Sequence, residues 1–118
     1  MIERTEVENY IKREFNIDPD YPWKKHTNYA VFRHKHNQKW FGLLMNINES
    51  KLNIDGDKEV EVLNVKVIQE FIGSVRMKKG IYPAYHMNKN NWVSINLNEC
   101  DSLEEIEYLI IDSYELTH

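Results

Sequence analysis

Apolar residues at the start of the chain recur with a helical period. Val7, Ile11 and Phe15 fall at i, i+4 and i+8, with Tyr10 beside them, so they share one face of a helix. Thr5 and Glu8 have capping-box spacing and would satisfy two orphan amides at its first turn. Pro19 and Pro22 end the helix near Asn16. The period then changes to two. In NYAVFRHKH, Tyr29, Val31 and Arg33 share one face while Ala30, Phe32 and His34 share the other, which is the pattern of a strand. HNQK is a hairpin turn, and KWFGLLMNI is a second strand. Residues 48–58 are rich in turn formers and read as a loop before a third strand, EVEVLNVKV. Ile68, Phe71, Ile72 and Val75 return to the helical period. Gly80 suits the left-handed position past the end of such a helix. Residues 83–87 and 92–97 give two short strands, joined by a turn at NKNN. Ser102 and Glu105 form a second capping box, ahead of a helix with Leu103, Ile106, Ile110 and Ser113 on its inner face. The order is α-β-β-β-α-β-β-α. It predicts one two-layer α+β domain over residues 1–118, an antiparallel sheet with helices on one face.

Composition adds a compartment. At 118 residues with 42% hydrophobic positions, the chain can bury roughly two-thirds of its unfolded surface without staples. One cysteine, Cys100, excludes an internal disulfide and fits a reducing environment. No apolar run matches a signal peptide or a membrane span. A cytoplasmic protein is expected.

Charge changes the picture more. The net charge is −4, which by itself argues against nucleic acid. Yet no Asp or Glu occurs from Tyr21 to Asn48, or from Phe71 to Asn98. The first stretch holds Lys24, Lys25, Arg33, Lys35 and Lys39. The second holds Arg76, Lys78, Lys79 and Lys89. Together these are nine of the 15 basic residues, and four of the five histidines accompany them. The last twenty residues hold seven acids and no Lys or Arg. Screening acts over about 8 Å at physiological salt, so a local basic patch can work against an opposite net charge. Two basic hairpins facing a polyanion are one reading, and ordinary solvated surface is the other.

Candidate chemistry is sparse. His34 and His36 share one strand face, a metal-like spacing, but no cysteine or carboxylate pattern completes a zinc site. They read as exposed hairpin histidines, and no metal or cofactor is expected. His86 has the chemistry of a general base but no orienting carboxylate or nucleophile in a recognisable motif. Glu99 and Asp101 flank Cys100 and would raise its pKa, leaving a passive thiol. There is no Gly-rich phosphate loop and no His-Glu-x-x-His.

The densest cluster of large side chains with polar tips is YPAYHMNKNNW, residues 82–92. With Pro83, Tyr85, His86, Met87, Asn88, Lys89 and Trp92 in these positions, the chain resembles the MmcQ/YjbR family, whose motif is Pro-x-Tyr-His-Met-Asn-Lys-x-x-Trp. Pro22-Trp23, Val31-Phe32, Lys39-x-Phe41, Asn64-Val65-Lys66 and Ser113-Tyr114 agree in order and spacing. Val67 stands where many members have cysteine, and the loop at 48–58 is longer than usual. The resemblance implies a CyaY-like α+β fold and a "double wing" arrangement that binds DNA. By that resemblance and the charge map, Lys24, Lys25, Arg33, Lys35 and Lys39 would serve one wing, and His86, Asn88 and Lys89 the other. Trp23, Lys66, Tyr85 and Trp92 would complete the motif surface. The expected function is non-enzymatic binding of double-stranded DNA. A protein-interaction adaptor or chaperone is the alternative, and an enzyme built around Tyr85, His86 and Lys66 comes third.

Overall fold

The computed structural model describes residues 1–118. Its elements are α1 (Arg4–Phe15), β1 (Ala30–Arg33), β2 (Trp40–Asn48), β3 (Glu59–Lys66), α2 (Ile72–Arg76), β4 (Ile81–Pro83), β5 (Trp92–Asn96) and α3 (Glu107–Thr117). The order is α-β-β-β-α-β-β-α, and the fold is two-layer α+β, as the periodicity predicts. The five strands form one antiparallel sheet in the order β1-β2-β3-β5-β4.

The register explains the core. Ala30, Leu44, Leu63, Ile95 and Ile81 are successive cross-strand partners. All five are buried in one cluster with Val7, Tyr10 and Ile11 of α1 and Leu109 and Ile110 of α3. This is the helix-covered face. Phe15 of α1 stacks on Tyr114 of α3, with centroids 4.0 Å apart, and both rings meet Phe41 edge-on. Such aromatic pairs add to the energy of simple burial.

One irregularity shapes the sheet. Phe32 pairs with Gly42 and Arg33 with Trp40, so Phe41 is an extra residue in β2. This bulge turns Phe41 toward the helices and Trp40 toward the opposite face. It also removes Phe41 from the ladder. Ser113 of α3 takes up the freed groups: its hydroxyl donates to the Phe41 carbonyl at 2.6 Å and accepts from the Lys66 N–H at 2.9 Å. Buried backbone groups need such partners.

Local expectations fare unevenly. The capping box over Ser102 and Glu105 forms. Gly80 is left-handed, with φ 83°, and lies four residues beyond the end of α2. The first cap is displaced. Glu3 starts α1 and Glu6 accepts from its N–H at 2.7 Å, while Thr5 lies inside the helix. The predicted helical face at 68–75 is only half used. A short 3-10 turn over Gln69–Phe71 precedes α2, leaving Ile68 and Phe71 exposed and Ile72 half-buried. The strand expected at 83–87 ends at Pro83, and the residues after it form a loop. No helix is long and apolar enough to cross a membrane.

Candidate nucleic-acid interface

Alternation gives the sheet a second face, and on it Val31, Leu43, Asn64, Ser94 and Tyr82 form one row across the five strands. A two-layer fold could leave this face wet. Here Val31, Leu43, Met45, Ile47, Val60 and Val62 form a second buried cluster, and loops roof it. Asp20 pairs with Val31 through two backbone hydrogen bonds of 2.8 and 2.9 Å. That bridge covers the edge of β1 and carries the chain over to the second face. Trp23 and Tyr29 then pack on the cluster from one side, and Tyr85 and Met87 from the other.

The 84–91 loop is held by a buried polar network. Asn64 Nδ2 donates to the Tyr85 carbonyl at 2.9 Å, and the Tyr85 N–H donates to Ser94 Oγ at 2.9 Å. Ser94 in turn donates to Asn64 Oδ1. Both side chains are fully buried, so each polar atom depends on these bonds. With Tyr85 fixed, His86 adopts a left-handed backbone, φ 68°, which is uncommon for a residue with a Cβ. Asn88 closes the turn: its Oδ1 accepts from the Asn90 N–H, and its carbonyl accepts from Asn91 and Trp92. The Arg76 guanidinium donates to the Lys89 carbonyl. The large side chains of YPAYHMNKNNW are therefore shared between a roof, Tyr85 and Met87, and a rim, His86, Asn88 and Lys89.

Between the two roofing loops lies a cavity of about 350 Å³. Trp23, His26, Tyr29, Trp40, Leu43 and Met45 line it from one acid-free stretch, and His86, Met87 and Asn88 from the other. Trp23 meets Trp40 edge-on at 5.7 Å and Tyr29 at 6.1 Å. His26 stacks on Tyr29 at 4.4 Å. Burial leads the causes that hold the Tyr29 phenol above its usual pKa. Exposed lysines sit next in the chain to lining residues: Lys24 and Lys25 after Trp23, Lys39 before Trp40, Lys89 after Asn88. None of the four takes part in the molecule's three ion pairs.

The sequence pattern of the YjbR family matches residues 16–116. The chain belongs to the YjbR family. It is 42% identical over 117 residues to the uncharacterized protein YyaQ of Bacillus subtilis (strain 168), covering 99% of each. It is also similar to a Pseudomonas syringae protein of known crystal structure. There the identity is 47%, the TM-score 0.96, and coverage 99% of this chain and 100% of the other. Deinococcus radiodurans protein DR2400 shares the fold at 21% identity and TM-score 0.67, over 95% of this chain and 76% of that one.

In this YjbR-family fold the predicted site residues divide into three places. Trp23, His86 and Asn88 line the cavity, with Lys24, Lys25 and Lys89 beside lining residues in the chain, whereas Lys39 pairs with His34 across the β1–β2 turn and acts on that ring from the helix side. Arg33 and Lys35 belong to the β1 edge. Arg33 pairs with Asp20 at 3.0 Å and lies over the Trp40 ring, and Lys35 shares a shallow cleft with Asp18 and Asp20. Lys66 and Trp92 are half-buried cross-strand partners outside the cavity. Lys66 borders a helix-side groove with Phe71, Tyr108 and Leu116. Sequence reasoning missed His26, Tyr29, Trp40, Leu43, Met45 and Met87 as lining residues. Tyr29 had a signal, since alternation set it with Val31 and opposite Phe32.

Two expectations about chemistry meet the structure directly. Cys100 is buried and its thiol is pushed up to about 11, chiefly by burial and then by Glu105, Glu99 and Asp101. His86 has no hydrogen-bond partner and touches the Tyr85 ring at 3.9 Å. No group of three or more His, Cys, Asp and Glu has a metal-holding arrangement.

His34 is corrected outright. It is 1% exposed, not on the hairpin surface. The Thr117 hydroxyl donates to the Ser113 carbonyl at 2.8 Å and so accepts from His34 Nε2 at 2.7 Å. Nδ1 is buried without a partner. Burial first, then His118 and His36, hold its pKa below 6.5. Below pH 6.5 the unfolded chain therefore binds more protons at this site than the native state does. The site's stabilisation is complete above 6.5 and is lost as pH falls toward the depressed value. The urea midpoint should drop between about pH 7 and pH 5.5, above most carboxylate titration. A His34→Phe variant should show a flatter profile over that window. An unchanged wild-type midpoint would contradict this assignment.

Proposed function

We propose that this chain is a non-enzymatic DNA-binding protein of the cytoplasm. The observation that carries this is the convergence of both acid-free stretches on one aromatic cavity, with three exposed, unpaired lysines, Lys24, Lys25 and Lys89, adjoining its lining residues in the chain. Topology adds support. In an antiparallel sheet ordered β1-β2-β3-β5-β4, the β1–β2 connection, which carries Lys35 and Lys39 and is distinct from the 21–29 loop over the cavity, leaves at the same end as the β4–β5 connection, at the opposite edge. Two loops so placed can straddle a duplex. Lysines contact phosphates and set affinity, while His86 and Asn88 stand near them with free polar atoms for groove edges.

The test is fluorescence anisotropy of a labelled duplex across a salt series. Four phosphate contacts, from Lys24, Lys25, Lys39 and Lys89, give a log–log slope near about −3.6, at roughly −0.9 per contact. Lys89→Ala should flatten the slope by about 0.9 and weaken all sequences alike. No binding at low salt, or equal slopes for variant and wild type, would end this reading.

A second reading rests on a separate observation. Ile68, Phe71, Met77, Tyr108 and Leu116 are exposed around the helix side, Phe71 by 54% and Met77 by 88%. An apolar patch of this kind suits a protein partner, as an adaptor would need. A Phe71→Ser variant that abolishes capture of a specific protein, with DNA binding absent in wild type, would favour it.

A further inference from the structure

We propose that the cavity beneath loops 21–29 and 84–91 takes one unpaired nucleobase, with the flanking phosphates held by Lys24, Lys25 and Lys89. This deepens the DNA-binding reading and rests on it.

Size comes first. About 350 Å³ is at the small end of the roughly 300–1,000 Å³ typical of small-molecule sites. It suits one planar ring system better than a peptide segment. The lining is next. Trp23 stands nearly perpendicular to Trp40 and Tyr29, at 86° and 79°, so the walls offer ring faces and edges to a flat heteroaromatic. Stacking on such side chains is how proteins hold unstacked bases. The rim carries polar atoms with unused capacity. The imidazoles of His26 and His86 have no hydrogen-bond partner, and Asn88 commits its Oδ1 to the turn but leaves its amide nitrogen free. Those groups can read a base edge.

Charge decides between ligands. Aromatic cages also hold ammonium cations. No carboxylate lines this cavity, although Glu59 is near enough to act on the Tyr29 phenol, and Lys24, Lys25 and Lys89 adjoin its lining residues in the chain. A cation is disfavoured, and an aromatic ring carrying phosphate is favoured. The backbone points the same way. His86 is held in a left-handed conformation by the buried Asn64–Ser94 network, and such placement clusters at ligand-binding sites. Because the cavity sits on the sheet face beneath two loops, a base still stacked in a duplex cannot enter. An unpaired base can, since it is cheapest to extrude.

The experiment uses three labelled DNA probes of equal length: a matched duplex, the same duplex with a single 2-aminopurine bulge, and one with an abasic bulge. The full-length protein should bind the 2-aminopurine bulge at least about fivefold more tightly than the other two, the low end for one stacked base. The 2-aminopurine emission should be quenched on binding. Trp23→Leu, checked for a native melting transition, should lose both the preference and the quenching. Should that variant not fold, His86→Ala on the exposed rim is expected to reduce the preference. Equal binding of all three probes would overturn the proposal and leave duplex binding standing. Abasic and 2-aminopurine bulges bound alike would overturn it too, as recognition of a flexible kink. Absence of binding to every probe at low salt would remove both this inference and the reading beneath it.

Discussion

Ile110→Ala is expected to destabilise the protein by about 2–5 kcal/mol, the range for truncating a buried aliphatic side chain to alanine. Ile110 is 1% exposed and belongs to the cluster that joins α1, α3 and the sheet. It lies one turn before Ser113, whose hydroxyl links β2 to β3. The helix therefore cannot slide into the vacated space without straining that hydroxyl, and little of the cavity should collapse. Denaturant titration measures the loss, and a value under about 0.5 kcal/mol would show that the site relaxes freely. Ile72 should behave differently. It is half-buried against the same cluster, so Ile72→Ala is expected to lose less than Ile110→Ala.

Asn64→Ala is expected to cost about 1–3 kcal/mol, for a reason unrelated to volume. It strips partners from the fully buried Ser94 hydroxyl and from the carbonyl of half-buried Tyr85. A buried group left unsatisfied carries its full desolvation penalty. The loop from Ala84 to Asn91 then loses the contact that fixes Tyr85, and His86 loses the support for its left-handed backbone. Global stability should fall in denaturant, and the Tyr85 amide should exchange faster with solvent even under native conditions. Ser94→Ala removes another member of the same network. The double variant should therefore cost less than the two singles combined. Strict additivity, or unchanged exchange at Tyr85, would argue against a shared network. Because the network sits under the rim of the cavity, its loss should also weaken any ligand bound there.

The parts of this protein that were legible in its sequence are those where one period rules. Alternation at 29–34 sorted Tyr29 and Val31 from Ala30 and Phe32, and the two faces of the sheet bury them as separate clusters. The spacing of Ile106, Ile110 and Ser113 marked the inner face of α3, and Ser102 and Glu105 marked the turn that precedes it. Gly80 was readable because its φ of 83° suits a residue without a Cβ. Charge segregation named the two stretches that meet at the cavity, since absence of acids is visible in one dimension.

Other features depended on contacts between distant segments. Periodicity at 68–75 promised a buried helical face, but Ile68 and Phe71 remain exposed, because a period states which residues align and not whether anything covers them. His34 fell on the core face by alternation, yet its burial required the end of α3, where Thr117 bonds its ring. Trp40 is the sharpest case. Uninterrupted alternation along β2 would set Trp40 with Leu44 toward the helices and Phe41 with Leu43 and Met45 on the other face. The bulge at Phe41 reverses that choice. It persists because Ser113, 72 residues away, satisfies the carbonyl that the bulge removes from the ladder. A strand's own sequence sets its period, but the partner that makes a break in that period affordable comes from elsewhere in the fold.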